Sequence, residues 1–355
     1  MFTLRQYLLA LLDSRGLTRT LGEIDVCRDE QGRPCFSAGN SAAVFRIRLG
    51  GRIRSLRCYL RPMRHLKEIY GQRLLEKELY LHTSPKTGVW VDTVLGDWIE
   101  GSTLHETVAQ AAALRDRESL QILVRLFDRL ALALVTDDRA HGDLKPENII
   151  VGDDGTLCPI DFDASYLPAF AGEISPELGT AAYQHPARTA ADFDERIDDY
   201  PAALISTALH ALAENPTLWD RYGSSDGLLY TPQRIASDPA YRETLALFEK
   251  RGMAVQYRIA QLLTAPTLRL FGLAELLAEA VREKPAARSG TEAETPELFV
   301  ENGRWGYRTA ERVVVAPLYD NGFDFTEGLA AVLLTSSGEL KALILIGAVF
   351  VVAAI

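Results

Sequence analysis

His141-Gly-Asp-Leu-Lys-Pro-Glu-Asn148, running on into Ile149-Ile-Val151, is followed nine residues later by Ile160-Asp161-Phe162-Asp163. Asn148 stands five positions after Asp143, and Asp161 stands eighteen after it. Between the two motifs lies Val-Gly-Asp-Asp-Gly-Thr-Leu-Cys-Pro-Ile, two apolar runs about a polar, glycine-containing turn, which predicts a hairpin. One such Asp-Leu-Lys-Pro-Glu-Asn run can be a loop with a helix cap. Two acid-bearing motifs in this order, joined by a hairpin, return both acids to one place.

The first motif resembles the catalytic loop of protein kinases, H-R-D-L-x-x-x-N, and the second stands where the D-F-G motif stands. The resemblance runs from about residue 22 to 283. It implies ATP and Mg²⁺ as cofactors, with Asp143 accepting or orienting the proton of the substrate hydroxyl and Lys145 near the γ-phosphate. Asn148 and Asp161 would be the metal ligands. Ser37-Ala-Gly39-Asn-Ser-Ala42-Ala-Val44 takes the place of the glycine-rich loop, with only Gly39 of three glycines kept, and implies nucleotide contact at Gly39 and Val44. Asp97-Trp-Ile-Glu-Gly101 resembles the hinge that meets adenine. Gly179-Thr180-Ala-Ala-Tyr183-Gln-His-Pro186 resembles the end of an activation segment, and Asp198-Asp199-Tyr200 the start of the buried helix after it.

The departures carry as much information. The third-strand Lys is replaced by Arg57 in Ser55-Leu-Arg-Cys58, and no Lys precedes Lys67. Arg keeps the charge but has a longer, forked head. Glu76 is the expected helix partner of Arg57, with Glu78 in reserve. Gly142 stands where the family has Arg, which implies a loop ordered without phosphorylation. Asp163 replaces a glycine, and Asp tolerates left-handed backbone angles better than most residues. Ala187 replaces a Glu, so the family's ion pair at that place is expected to be absent.

Outward from these motifs, residues 22–62 alternate in short β-type runs, and Gly50-Gly51 predicts a hairpin turn. Residues 65–82 read as a helix, with Leu66, Ile69, Tyr70 and Leu74 on one face. Val89–Leu95 reads as a strand. Thr103-Leu-His-Glu106 is a capping box, and residues 116–136 form a long amphipathic helix. From 200 to about 283 the pattern is helical. The expected class is α+β, a bilobal kinase-like fold with a β-rich N-lobe and a helical C-lobe. The expected organisation is an N-terminal helix at 1–21, a kinase-like domain at 22–283 (N-lobe 22–96, C-lobe 97–283), a linker at 284–296 and a small β module at 297–355. That module, with Arg304-Trp305-Gly306-Tyr307 and later glycine-broken apolar runs, resembles a WG repeat, and Trp305 reads as a packing residue.

Hydrophobic content of 47% and charged content of 24% are those of a globular chain, not a disordered one. A net charge of −10 argues against nucleic acid as the main partner. The nine basic residues from Arg46 to Arg73 are read as a solvated strand surface. Four cysteines without a CxxC pair predict neither zinc nor a disulfide framework, and a cytoplasmic setting. The N-terminus predicts a short amphipathic helix rather than a leader. The apolar run 342–355 is shorter than the roughly eighteen residues of a membrane helix and reads as strands. The tail is expected to dock on the kinase-like domain or on a partner protein, with no membrane involved. The activity expected is γ-phosphate transfer from ATP to a Ser or Thr hydroxyl of a protein substrate. Alternatives are a small-molecule kinase of aminoglycoside or choline type, from His141-Gly-Asp143, and a nucleotide-binding pseudokinase scaffold, from Arg57 and the eroded glycine loop.

Overall fold

The computed structural model describes residues 1–152, 155–282 and 297–308, and the backbone of strands within 313–354. The chain divides into two units, Met1–Ile99 and Glu100–Ile355. Helices and antiparallel sheets alternate through both, an α+β arrangement.

The first unit opens with α1 (Leu4–Leu12), started by a capping box in which Thr3 and Gln6 satisfy each other's amides. Its strands are β1 (Asp25–Val26), β2 (Phe36–Ala38), β3 (Ala42–Leu49) and β4 (Arg52–Tyr59). After them come the five-residue helix α2 (Leu66–Tyr70), β5 (Leu74–Ser84) and β6 (Thr87–Asp97). The sheet order is β1-β3-β4-β6-β5, with β2 also pairing β3. Gly50 and Gly51, at φ +55 and +79, make the predicted two-residue turn, with Leu49 opposite Arg52. Side chains alternate across these strands, so Ala43, Phe45, Ile47, Leu56 and Cys58 share one buried face. Tyr7, Ala10 and Leu11 of α1 are buried in the same cluster, and the Tyr7 hydroxyl donates to the Tyr59 carbonyl at 2.6 Å. The N-terminal helix is thus part of this unit's core.

The helix expected over 65–82 stops at Tyr70, and the residues from Leu74 onward are a strand. Gly71 at φ +53 breaks the helix. From Leu79 the side chains follow period two, with Leu79 and Leu81 buried against Val91 and the sheet core. A bulge at Lys77 (φ +50), whose amide donates to Asp92 Oδ1 at 2.7 Å, lets Leu74 and Leu75 pair with β6 as well. Pairing along the whole of β6 outweighs the local helical spacing.

The second unit holds β7 (Gly101–Thr103), α3 (Leu104–Ala113) and α4 (Arg117–Thr136). The hairpin β8 (Ile149–Gly152) and β9 (Leu157–Pro159) follows, and then the helices α5 (Asp199–Glu214), α6 (Leu218–Tyr222), α7 (Pro239–Arg251), α8 (Ala254–Leu262) and α9 (Leu273–Arg282). Thr103 and Glu106 form the predicted capping box, and Asp116 caps α4 by accepting from the Ser119 amide. Such caps contribute about 1 kcal/mol each. Apart from His210 and Glu214, every residue of α5 is buried, the mark of a central helix. It makes a deep polar contact with α4: buried Asp128 accepts from the Ser206 hydroxyl at 2.6 Å and pairs with His210 Nε2 at 2.8 Å.

Beyond 296 the described elements are strands: β10 (Glu297–Glu301), β11 (Arg304–Arg308), β12 (Val313–Tyr319), β13 (Asn321–Gly322), β14 (Leu329–Leu334), β15 (Glu339–Ile346) and β16 (Val349–Ala354). Asn302 and Gly303, both at positive φ, turn β10 into β11. Tyr307 is fully buried and Trp305 half-buried, its backbone in register with Tyr319 on β12. The C-terminal apolar run falls on β15 and β16; the linker expected at 284–296 lies outside the described residues. Among the described residues, no helix is long and apolar enough to cross a membrane.

Candidate active site

The loop between Ala140 and Ile149 is held from below by α5. Asp198, just ahead of that helix, is fully buried and accepts from the His141 amide at 2.5 Å and the Gly142 amide at 3.0 Å. Burial pushes its carboxyl above the usual range, against the pull of His141, the two amides and the Arg188 guanidinium. The His141 ring links the loop to the second motif. Its Nδ1 accepts from the Asp143 amide at 3.3 Å, so Nε2 carries the proton and donates to the Ile160 carbonyl at 2.8 Å.

Asp143, Lys145 and Asn148 converge. Asn148 Nδ2 donates to the Asp143 carbonyl at 3.0 Å and to its Oδ2 at 3.2 Å, and Lys145 Nζ lies 3.1 Å from Oδ2. The other carboxylate oxygen accepts from the Thr180 amide at 2.5 Å, and Lys145 Nζ donates to the Thr180 hydroxyl at 2.8 Å. Gly179 makes this approach possible: a Cβ there would lie 2.8 Å from the Gly142 carbonyl and 3.0 Å from Asp143 Oδ1. Asp143 and Lys145 keep 17% and 22% of their side-chain surface open, enough for a small reacting group to reach them.

The β8–β9 hairpin returns Asp161 to the same loop. The Ile160 amide donates to the Asn148 carbonyl at 2.9 Å, and the Phe162 ring sits 5.1 Å from that of His141. The left-handed backbone foreseen at Asp163 is found at Asp161 instead (φ +69), while Asp163 is buried in a right-handed 3₁₀ turn. Asn148 turns its amide nitrogen toward Asp143, which leaves its carbonyl oxygen as an acceptor. Together with the Asp161 carboxylate this is an oxygen donor set of the kind a hard divalent cation takes. Among the described residues no group of three or more His, Cys, Asp or Glu gathers into a metal site of its own.

Gly39, Val44, Arg57, Glu76 and Asp97 lie in the other unit. Gly39 stands at the β2–β3 turn, its amide donating to the Ala42 carbonyl at 2.9 Å. Val44 and Arg57 are directly opposite on β3 and β4, half-buried on the face away from Phe45 and Leu56. The Arg57 guanidinium lies 5.7 Å from the Tyr59 ring. Asp97 ends β6 as an exposed ion-pair partner of Arg54 at 2.5 Å. Glu76 sits on a strand, not the expected helix, and its exposed carboxylate is 3.8 Å from Lys67 Nζ. Glu78 is not available as a reserve. Buried to 2%, it accepts from the amides of Arg19, Thr20 and Leu21 and from the Thr20 hydroxyl.

Thr180 and Gln184 lie in the segment 179–186 that resembles the end of an activation segment, but no role was assigned to either, and Arg188 was not singled out. A surface groove of about 560 Å³ runs beside Pro186 and Ala187 with Arg234 and Arg242 on its wall, and none of the residues around Asp143 lines it.

No family model matches the chain. Among curated proteins it is similar to CBL-interacting protein kinase 17 of Oryza sativa subsp. japonica, 28% identical over 172 residues, covering 46% of this chain and 35% of that protein. It is also similar to serine/threonine-protein kinase PknL of Mycobacterium tuberculosis, 28% identical over 219 residues, covering 57% and 52%. The chain thus matches about a third to a half of the length of these relatives, and its likeness is to protein kinases.

Proposed function

We propose that this chain is an ATP-dependent phosphotransferase of the protein-kinase type, transferring the γ-phosphate to a Ser or Thr hydroxyl. One observation carries the reading: a single carboxylate, Asp143, is fixed by three donors, the Thr180 amide, Lys145 and Asn148. Phosphoryl transfer asks for positioning and charge compensation rather than covalent work. Fixed in this way, Asp143 orients the acceptor hydroxyl and takes its proton. Lys145, bridging Asp143 and Thr180, is placed to meet the transferred phosphoryl group. Asn148 and Asp161 would hold Mg²⁺, which supplies positive charge against the phosphates when bound. In the first unit, Arg57 opposite Val44 would meet the nucleotide phosphates, Gly39 would contact the nucleotide, and the hinge-like segment from Asp97 would meet adenine. The similarity to proteins named as protein kinases, PknL as a serine/threonine kinase, supports this class over the small-molecule kinases. A pseudokinase has no need of the donors arrayed on Asp143.

The test is transfer from γ-labelled ATP to three acceptors in parallel: generic Ser/Thr proteins, an aminoglycoside and choline. Label on protein Ser or Thr supports the proposal. Label on a small molecule alone moves the chain to the second class, and no label on any acceptor refutes phosphotransfer.

A further inference from the structure

Position 142 cannot carry a side chain. Its φ is +82, and a Cβ there would lie 2.0 Å from the Ala164 carbonyl oxygen. The catalytic loop therefore has no cation of its own at this point, yet a cation is present beside it. Arg188 reaches back across 46 residues to donate from Nη1 to the Gly142 carbonyl at 3.1 Å, and the same nitrogen bonds Gln184 Oε1. The residue is 9% exposed, and its Nε and Nη2 are buried with no hydrogen-bond partner in the described structure. Burying a guanidinium with one nitrogen bonded is costly, and an apolar residue of similar volume would fill the space without that cost. Burial lowers the pKa of the guanidinium, and the carboxylates of Asp198, Asp143, Asp192 and Asp194 counter that in part, Asp198 most strongly. Asp198 and Asp143 are the residue that holds the loop from below and the residue the loop presents.

We propose that Arg188 is a positioning residue for phosphotransfer: it fixes the loop through the Gly142 carbonyl and balances the charge of Asp143 and Asp198, a task residue 142 cannot perform. The inference rests on the phosphotransfer reading for its effect on rate, but the loop contact can be measured without turnover.

The experiment compares full-length wild type with Arg188→Gln, which keeps a polar head without charge, and Arg188→Lys, which keeps the charge. In Arg188→Gln the amides of Gly142 and Asp143 should exchange with solvent about tenfold faster while those of α5 keep their wild-type rates. Its kcat should fall about a hundredfold with KM for ATP unchanged, because misplacing the reacting groups costs rate and not binding. Arg188→Lys should recover most of both losses. If Arg188→Gln does not fold, Arg188→Met, which fills the space without a charge or a donor, takes its place with the same two readouts, and wild-type loop exchange or a wild-type kcat in it overturns the idea. Unchanged loop exchange overturns the inference whatever the transfer assay gives, and so does faster exchange with wild-type kcat. A wild type that transfers no phosphate while the exchange difference holds sinks the phosphotransfer reading and leaves the contact standing.

Discussion

At position 142 the backbone turns at φ +82, with the Ala164 carbonyl where a side chain would begin. A methyl group there meets both a left-handed backbone and a hard contact, so Gly142→Ala should lower stability by about 3 kcal/mol. It should also break the Asp198 bonds to the His141 and Gly142 amides. Chemical denaturation of the variant checks the first effect, and a wild-type midpoint would show that the loop can relax elsewhere. Asp143, Lys145 and Asn148 were legible in the sequence because they lie within one short loop whose spacing is set locally. Thr180 and Arg188 were not, because their contacts to the loop span 37 and 46 residues and depend on how the segment before α5 folds back. Glu76 was misassigned for the opposite reason. Its local spacing was helical, and the pairing that makes it a strand residue lies on β6.

Among the elements, α5 shows best how a sequence pattern becomes a platform. Its apolar run was legible as a buried helix, but the role of its leading acids was not. Asp198 braces the 141–149 loop, and Asp199 accepts from the Leu270 amide at 3.1 Å. Burial raises the Asp199 carboxyl to about 6. A folded-state pKa above the unfolded one means that the native state binds the extra proton between about pH 4 and 6. The stability this group contributes is therefore full below the unfolded value and is lost as pH rises through about 6. Asp199→Asn keeps an acceptor for Leu270 without the buried charge, so it should remove this dependence and gain up to about 3 kcal/mol at pH 8. Denaturant melts from pH 4 to 8 read it directly. A variant that keeps the wild-type slope across that window would show that Asp199 does not titrate as a buried acid. Glu78 teaches a related lesson. Expected on a helix as the reserve partner of Arg57, it lies on a strand and accepts instead from the amides of Arg19, Thr20 and Leu21.

For the whole molecule, the α+β class and most strand and helix positions could be read from periodicity and caps. The exceptions are where tertiary pairing overrode local spacing, as in the 65–82 segment. The role of α1 in the first unit's core could not be read, since an amphipathic helix does not announce which surface its apolar face will meet. The central claim is that Asp143 is the group that serves the acceptor hydroxyl. The most direct measurement pairs ATP binding by calorimetry in the presence of Mg²⁺ with single-turnover transfer, for wild type and Asp143→Asn. Asn keeps the size and an acceptor for Thr180 but cannot take a proton. The account predicts ATP affinity within about threefold of wild type and transfer reduced by at least about a hundredfold. Transfer by Asp143→Asn at the wild-type rate would contradict it.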